Sequence, residues 1–171
     1  RFTDSHCHLT MSDAAANLER ARAEGVVGIV VPGTKLDDAE PAVRIAQKHD
    51  DVWAAVGFHP HEAKDCDGAS FATIERLARE DRVVAIGEIG LDYHYMHSPR
   101  ETQREVFMRP FALATSLDLP VIGPNRHPAD EPVALPATSP PQRPPRLLHP
   151  HTETLPSPLR TGVASPAVPA A

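Results

Sequence analysis

The feature that most constrains the fold is a regular alternation of strand-like runs, most of them apolar, and helical segments over residues 1–122. The strand-like runs cover residues 2–9, 26–31, 52–58, 83–88 and 119–122. Between them, apolar residues recur at helical spacing in 12–25, 37–50, 71–78 and 99–117. Runs that are apolar on both faces are typical of strands in a buried parallel sheet. The order βαβαβαβαβ, with strands about 25–30 residues apart, predicts right-handed βαβ units.

Such a sheet can close in two ways, as a doubly wound open sheet or as a (β/α)8 barrel. A dinucleotide-binding open sheet requires a Gly-x-Gly-x-x-Gly turn, and the first βα loop has none. Instead, histidines and carboxylates follow the strand-like runs, at the ends where barrel enzymes build their sites. A whole barrel needs about 250 residues, whereas five strands and four helices are predicted here. The sequence therefore predicts the N-terminal part of a TIM barrel.

Composition divides the chain at residue 122. Residues 1–122 contain 13 Lys and Arg against 20 Asp and Glu, whereas 123–171 contain four against three. Fourteen of the 19 prolines follow Leu119, and 123–171 has no Phe, Tyr or Trp. Proline interrupts helices and central strands, and few large apolar side chains remain to offset the entropy of ordering. We therefore predict a partial barrel domain at 1–122 and a disordered tail at 123–171, whose abrupt start resembles a reading-frame change that truncates the barrel.

Few features of the chain point to a membrane or an oxidising compartment. A run of eighteen apolar residues and a signal-peptide pattern are both absent, so a soluble, cytoplasmic protein without a membrane partner is expected. The two cysteines, Cys7 and Cys66, argue against a disulfide framework. The formal net charge of −6 argues against a broad basic surface for nucleic acid. A nucleic-acid substrate would have to be held by a metal and a local groove.

A candidate metal site lies at the end of the first predicted strand. Side chains in a strand alternate faces, so His6 and His8 are expected to point the same way while Cys7 points the other way. Glu88 closes the fourth predicted strand and would add a carboxylate. Imidazole suits zinc, manganese, iron, cobalt and nickel, and a carboxylate widens the choice towards magnesium. The ligand types therefore predict a divalent cation but not its identity.

Four segments, in order along the chain, resemble the signatures of the TatD family of metal-dependent hydrolases. They are Asp4–Leu9 (DSHCHL), Gly57–His61 (GFHPH), Gly87–Tyr93 (GEIGLDY), and Gln103 followed by Phe107. The resemblance covers residues 2–122. The polymerase-and-histidinol-phosphatase type of phosphoesterase also begins with a His-x-His strand, but it fits the second and third segments less well. The TatD family includes deoxyribonucleases and belongs to the amidohydrolase-like TIM barrels.

The resemblance implies hydrolysis of phosphodiester bonds in DNA, or in another phosphodiester, with a divalent cation such as Mg²⁺, Mn²⁺ or Zn²⁺ as cofactor. His6, His8 and Glu88 match metal ligands of the family. A complete family member can hold two ions, and Glu88 would then be shared between them. Such cations polarise a phosphoryl oxygen and stabilise the charge that develops on the leaving oxygen.

The resemblance also implies roles for residues beside the metal. His59 and His61 join Glu88 in the implied catalytic set, where they would contact phosphate or orient water. Asp92 is expected to accept a hydrogen bond from a ligand histidine and so to orient it. His94 and His97, in the loop after the fourth predicted strand, are interpreted as ordinary solvated side chains.

The chain departs from the family after the fifth predicted strand. There the family has a histidine ligand, whereas this chain has Pro124, with Arg126 where the pattern expects arginine. His127 lies three residues from the expected position, and the His149/His151 pair lies in proline-rich sequence, so none of them is interpreted as a ligand. Two hypotheses therefore stand: an active hydrolase, and an inactive remnant that binds metal weakly. The oligomeric state is not predicted.

Overall fold

The computed structural model describes residues 1–123, 125–126 and 147–148 of the 171-residue chain. The strands are β1 (Phe2–Asp4), β2 (Val26–Pro32), β3 (Val52–Val56), β4 (Val83–Ile86), β5 (Leu91–Asp92), β6 (Val121–Ile122), β7 (Asn125–Arg126) and β8 (Leu147–Leu148). The helices are α1 (Ala14–Ala23), α2 (Leu36–Lys48), α3 (Gly68–Leu77) and α4 (Arg100–Leu117), with short 3-10 helices at Leu9–Met11 and Pro60–Asp65. The tail predicted at 123–171 falls almost wholly outside the described residues.

Six strands form one parallel sheet in the order β1-β2-β3-β4-β6-β8. Strands that neighbour each other in the sheet therefore follow the order of the chain, with α1, α2 and α3 connecting the first four. A doubly wound sheet reverses its strand order at one point, whereas a barrel sector does not. The predicted part of a TIM barrel, with its parallel strands and four helices, is confirmed.

The prediction for the first strand was wrong in its length. β1 ends at Asp4 and not at Leu9, so His6 and His8 follow the strand instead of lying in it. The backbone nevertheless continues beside β2, because the Cys7 amide donates to the Val30 carbonyl at 3.0 Å. Strand ends depend on ladder bonds to a neighbouring strand, which the local sequence does not specify.

A second, two-stranded sheet was not predicted. β5 pairs in parallel with β7, with Leu91 opposite Asn125 and Asp92 opposite Arg126. β4 ends at Ile86, so the predicted strand through Glu88 is wrong at its end. The segment between β4 and β5 leaves the main sheet there, and it carries Glu88 into the loop region above the strand ends.

The helix boundaries follow local capping chemistry. Asp13 caps α1, since its carboxylate accepts the Ala16 amide hydrogen at 3.1 Å. Gly25, which ends the predicted first helical segment, has a φ of +88° that suits glycine just beyond a helix. α2 begins at Leu36, slightly before the predicted start, with Asp38 in its first turn accepting the Lys35 amide hydrogen at 2.9 Å. Within the described residues, no helix combines the length and apolar character needed to cross a membrane.

Apolar side chains are buried on both faces of the sheet. On the helix side, Val31 and Ile86 pack with Leu18 of α1 and Ile74 of α3, and none of the four exposes measurable surface. Because successive strand residues point to opposite faces, Val30 belongs to a second, smaller cluster. That cluster also contains Ala55, Val84, Ala85 and Ile122. The strand ends therefore sit on a scaffold that is packed on both sides.

Gly57 allows two site-bearing segments to approach each other. A Cβ atom placed on Gly57 would lie 2.7 Å from Ile89 Cγ2 and 2.9 Å from the carbonyl carbon of Gly87. Any larger residue would therefore push apart the segments that follow β3 and β4. These segments carry His59 and Glu88, so the two side chains can lie close together only because residue 57 has no Cβ atom.

Arg82 ties the end of α2 to the start of β3. Its guanidinium donates to the carbonyls of Ala46, His49, Asp50 and Val52 at 3.2, 3.0, 2.7 and 2.6 Å. Helix C-termini leave carbonyls without intrahelical partners, and a cation there also interacts favourably with the helix dipole. Arg82 therefore satisfies several acceptors at once.

Replacing Arg82 by methionine is expected to lower the free energy of unfolding by about 2 kcal/mol, because charge-assisted hydrogen bonds to partly buried carbonyls are lost. Urea denaturation measures the change. Arg79→Met is the matched control, since Arg79 is exposed and contacts only Glu75 at 3.5 Å among the ion pairs described. Its expected effect is below about 0.5 kcal/mol. Equal effects of the two substitutions would contradict the proposed role of Arg82.

Candidate metal centre

The two histidines after β1 are held by backbone contacts. The Asp4 carboxylate accepts the His6 amide hydrogen at 3.0 Å, and Cys7 is bonded to β2 as described above. The two imidazoles then face a common point, with His6 Nε2 and His8 Nε2 3.2 Å apart. Cys7 packs against the helix-side core, where burial raises the pKa of its thiol. The expected division of the three side chains between two directions is therefore observed, although the strand ends before them.

Glu88 reaches the same point from the segment that follows β4, which β2 and β3 separate from β1 in the sheet. Its amide donates to the Gly33 carbonyl at 2.9 Å, which fixes the backbone beyond β4. Its carboxylate Oε2 lies 3.5 Å from His6 Nε2, and the side chain is 12% exposed. One ligand atom from each of His6, His8 and Glu88 can be chosen so that all lie within 4.8 Å of one another. We call these three residues the HHE cluster.

The charge state of Glu88 is set by two opposing effects. Burial disfavours the ionised carboxylate, but the hydrogen bond with His6 and the nearby imidazoles of His59, His6 and His8 outweigh it. The pKa of Glu88 therefore lies below its ordinary value, and the side chain is an anion at neutral pH. A buried anion beside imidazole nitrogens is an environment that attracts a cation.

The geometry of the HHE cluster fits a divalent cation. Two donor atoms, each about 2.1 Å from one cation, lie roughly 3.0–3.4 Å apart at octahedral or tetrahedral angles. The Nε2 atoms of His6 and His8 are separated by a distance in this range. The Nδ1 atoms of both rings are buried and make no hydrogen bond among the described residues. The Nε2 atoms meet beside the Glu88 carboxylate, and two imidazoles with a carboxylate form a donor set suited to zinc, manganese or magnesium.

His59 stands beside the HHE cluster. Its Nε2 lies 3.8 Å from Glu88 Oε1, and its Nδ1 accepts the backbone amide hydrogen of His61 at 3.2 Å. A neutral imidazole that accepts at Nδ1 carries its proton on Nε2. His59 therefore presents an N–H group towards the carboxylate and the space in front of it.

His61 is oriented by a buried carboxylate. Its Nε2 lies 2.9 Å from Asp92 Oδ2, and the Asp92 side chain exposes no surface. Burial opposes ionisation of Asp92, but hydrogen bonds from the Tyr95 amide, the His61 ring and the His94 amide hold its pKa below the ordinary value. The histidine that Asp92 orients is thus His61, which lies outside the HHE cluster. Asp92 was expected to orient a histidine that binds the metal, but the histidine it orients is not one of the proposed ligands His6 and His8.

Sequence reasoning missed how the loop after β5 is anchored. Gln103 belongs to the family motifs and is 1% exposed. Its Oε1 accepts the Asp92 amide hydrogen, and its Nε2 donates to the carbonyls of Asp92 and Ser98. The Ser98 hydroxyl donates to the His61 carbonyl at 3.0 Å. Before a proline, a serine suggests only a turn, so the sequence carried no distinct signal for this contact.

The rest of this loop is exposed. His94 and His97 have exposed side chains, as interpreted from the sequence. His97 nevertheless packs against His61, with ring centres 4.4 Å apart. Pro124, which stands where the family has a histidine ligand, and the histidines not interpreted as ligands, His127, His149 and His151, lie outside the described residues.

The sequence matches a known family and its relatives. A model of the family described as TatD related DNase matches residues 3–153. The metal-dependent hydrolase YabD of Bacillus subtilis, itself described as uncharacterized, is 39% identical over 136 residues, which cover 77% of this chain and 53% of YabD. The 3'-5' ssDNA/RNA exonuclease TatD of Erwinia tasmaniensis is 41% identical over 105 residues, covering 61% of this chain and 40% of that protein.

A solved structure shows the same fold. The TatD homologue YjjV of Escherichia coli K12 superposes with a TM-score of 0.67 at 33% identity, covering 71% of this chain and 49% of YjjV. The chain therefore spans about half the length of the relatives it matches. Since the family match extends over most of the chain and includes every residue of the HHE cluster, the chain belongs to the TatD-related DNase family.

Proposed function

We propose that this chain acts as a divalent-metal-dependent hydrolase on phosphodiester bonds of nucleic acid, with His6, His8 and Glu88 as metal ligands. The observation that carries the proposal is the meeting of these three side chains above the ends of β1 and β4, although 80 residues of sequence separate the histidines from the carboxylate. Parallel barrels build their active sites at this end of the sheet. Two relatives are named as ssDNA/RNA exonucleases, which makes single-stranded nucleic acid the substrate to test first.

The HHE cluster, His59 and His61 have different roles in the proposed reaction. The HHE cluster holds the cation, which supplies Lewis acidity and neutralises phosphate charge when bound. His59 directs an N–H group to the space beside Glu88 and can donate to a phosphate oxygen placed there. His61 has its Nε2 hydrogen bonded to Asp92, which fixes the orientation of its ring beside His59.

The experiment incubates purified chain with a 5'-labelled single-stranded DNA oligonucleotide in Mg²⁺ or Mn²⁺, and in EDTA. Cleavage that requires the metal and is lost in the double substitution His6→Ala/His8→Ala supports the proposal. The ladder of products from the labelled strand reports whether cleavage proceeds from the 3' end or within the strand. Metal-independent cleavage, or cleavage that survives the double substitution, would point to a contaminating nuclease. Metal binding without cleavage would favour the alternative, a non-catalytic chain that only binds metal.

A further inference from the structure

An exposed aromatic surface lies beside the candidate metal centre. Tyr95 is 55% exposed, and the exposed ring of His97 lies nearly parallel to it, with an interplanar angle of 22° and ring centres 6.1 Å apart. Met96 between them is 44% exposed and has a positive φ of 53°. Neighbouring exposed rings form a contiguous apolar patch of the kind that can bind a ligand. The tip of this loop therefore presents two ring faces to solvent.

The loop that carries these rings is fixed at both ends. At the start, the Asp92 carboxylate accepts the amide hydrogens of His94 and Tyr95 at 3.0 and 3.1 Å. At the end, Ser98 exposes no surface, and Gln103 bonds to the carbonyls of both Asp92 and Ser98. The rings are thus displayed on an anchored backbone, which lowers the entropy lost when a ligand binds.

The position of the rings connects them to the site. His61 touches both, with ring centres 5.9 Å from Tyr95 and 4.4 Å from His97. His61 also packs edge-on against His59 at 4.4 Å, and His59 contacts Glu88. An unbroken row of aromatic rings thus leads from the HHE cluster to the exposed loop tip. A strand with a phosphate near Glu88 would have its adjoining bases over this row.

We propose that Tyr95 and His97 form a stacking surface that holds a nucleobase of single-stranded nucleic acid next to the HHE cluster. The inference deepens the proposed function and rests on it for the identity of the ligand. Stacking on aromatic side chains binds single strands with little sequence preference, since every base has a flat face. Stacking also suits a chain with a net charge of −6, which attracts the phosphates of nucleic acid poorly. Contacts with the bases then contribute binding free energy that attraction to the phosphates does not.

The test measures binding separately from cleavage. Fluorescence anisotropy in EDTA, at fixed salt, follows a labelled oligothymidylate and an abasic strand of the same length. Wild type is expected to bind oligothymidylate more tightly than the abasic strand. Tyr95→Ala/His97→Ala is expected to weaken oligothymidylate binding by about tenfold or more, as is typical of lost base stacking. The abasic strand should bind the double variant and wild type equally.

Two controls separate stacking from other effects. Tyr95→Phe keeps the ring and is expected to bind like wild type, whereas loss of affinity there would assign the effect to the hydroxyl. Met96→Ala changes an exposed neighbour in the same loop and is expected to leave binding unchanged. Far-UV circular dichroism confirms that the variants, all altered at exposed positions, remain folded.

The outcomes distinguish this proposal from the proposed function. Base-dependent binding without metal-dependent cleavage keeps the stacking surface and rejects the hydrolase. Metal-dependent cleavage with equal binding of oligothymidylate by wild type and the double variant rejects the stacking surface and keeps the hydrolase. The absence of any detectable binding of either strand to wild type also overturns the stacking surface.

Discussion

Replacing Glu88 by glutamine is expected to weaken the binding of Mn²⁺ by about a hundredfold or more and to abolish any metal-dependent cleavage. Glutamine has the shape of glutamate but lacks the negative charge. Loss of partners that only orient a ligand already costs about 10–100-fold in metal affinity. Glu88 contributes the only carboxylate of the HHE cluster, so its neutralisation should cost at least as much.

Isothermal titration with Mn²⁺ measures the affinity directly. Thermal unfolding gives a second readout, because a ligand that binds only the folded state stabilises it by about 2.7 kcal/mol at a hundred times its Kd. Wild type should show a Mn²⁺-dependent rise in Tm, and Glu88→Gln should not. Neither measurement requires the chain to be catalytically active.

Glu62→Gln is the matched control for this substitution. Glu62 is a partly exposed carboxylate in the loop after β3, where it pairs with Lys35 at 3.7 Å and takes no part in the HHE cluster. Its substitution should leave Mn²⁺ affinity unchanged. If Glu88→Gln bound Mn²⁺ as tightly as wild type, Glu88 would not be a ligand and the proposed site would be wrong.

Truncating Ile86 to alanine is expected to lower the free energy of unfolding by about 3–4 kcal/mol. Ile86 is the last residue of β4 and exposes no surface. It lies opposite Val56 of β3 and Val121 of β6, so its side chain is enclosed on the helix side of the sheet. The substitution removes buried methyl and methylene groups and leaves a cavity that neighbouring strands cannot close.

Domains of this kind have total stabilities of about 5–15 kcal/mol, so this loss is a large fraction of the whole. Urea denaturation measures it, and an unchanged m-value would show that the unfolded state is not affected. Val27→Ala is the control, because Val27 is 37% exposed near the start of β2. Its expected cost is below about 1 kcal/mol. A loss of under about 1 kcal/mol for Ile86→Ala would show that the strand end is not packed as described.

Much of the fold could be predicted because its signals are local. The apolar run at Val26–Pro32 is rich in β-branched residues and has no polar face, which favours a strand covered on both sides over most of its length. The helix α1 begins after Asp13 and stops before Gly25, and both signals lie within a few residues of the helix. Such features depend on residues that are close together in the sequence, so they can be predicted from it.

The errors in prediction concern contacts between distant segments. β1 is shorter than the strand predicted at 2–9, and β5 exists because a segment more than thirty residues later pairs with it. The partner of Asp92 shows the same dependence. A carboxylate after a strand could orient any nearby histidine, and the arrangement of the loops after β3 and β4 selects His61.

By itself, the sequence determined the class of fold and the chemistry available to it. The alternation of strands and helices places the carboxyl ends of the strands at one edge of a parallel sheet. The motifs around His6, Glu88 and His61 carry the resemblance to the family to which the chain belongs. Periodicity and capping are properties of short segments, so they can be recognised without knowing which distant segments pack together.

Only the tertiary structure decided which of these groups meet. Spacing in the sequence leaves open whether Glu88 faces His6 or His61, since a shift of one residue in strand register turns a side chain to the opposite face. The packed sheet fixes that choice: it brings Glu88 to the His6 and His8 nitrogens and leaves Asp92 with His61. It also displays Tyr95 and His97 beside them, a placement that depends on the buried bonds of Gln103 and Ser98 and not on any local pattern.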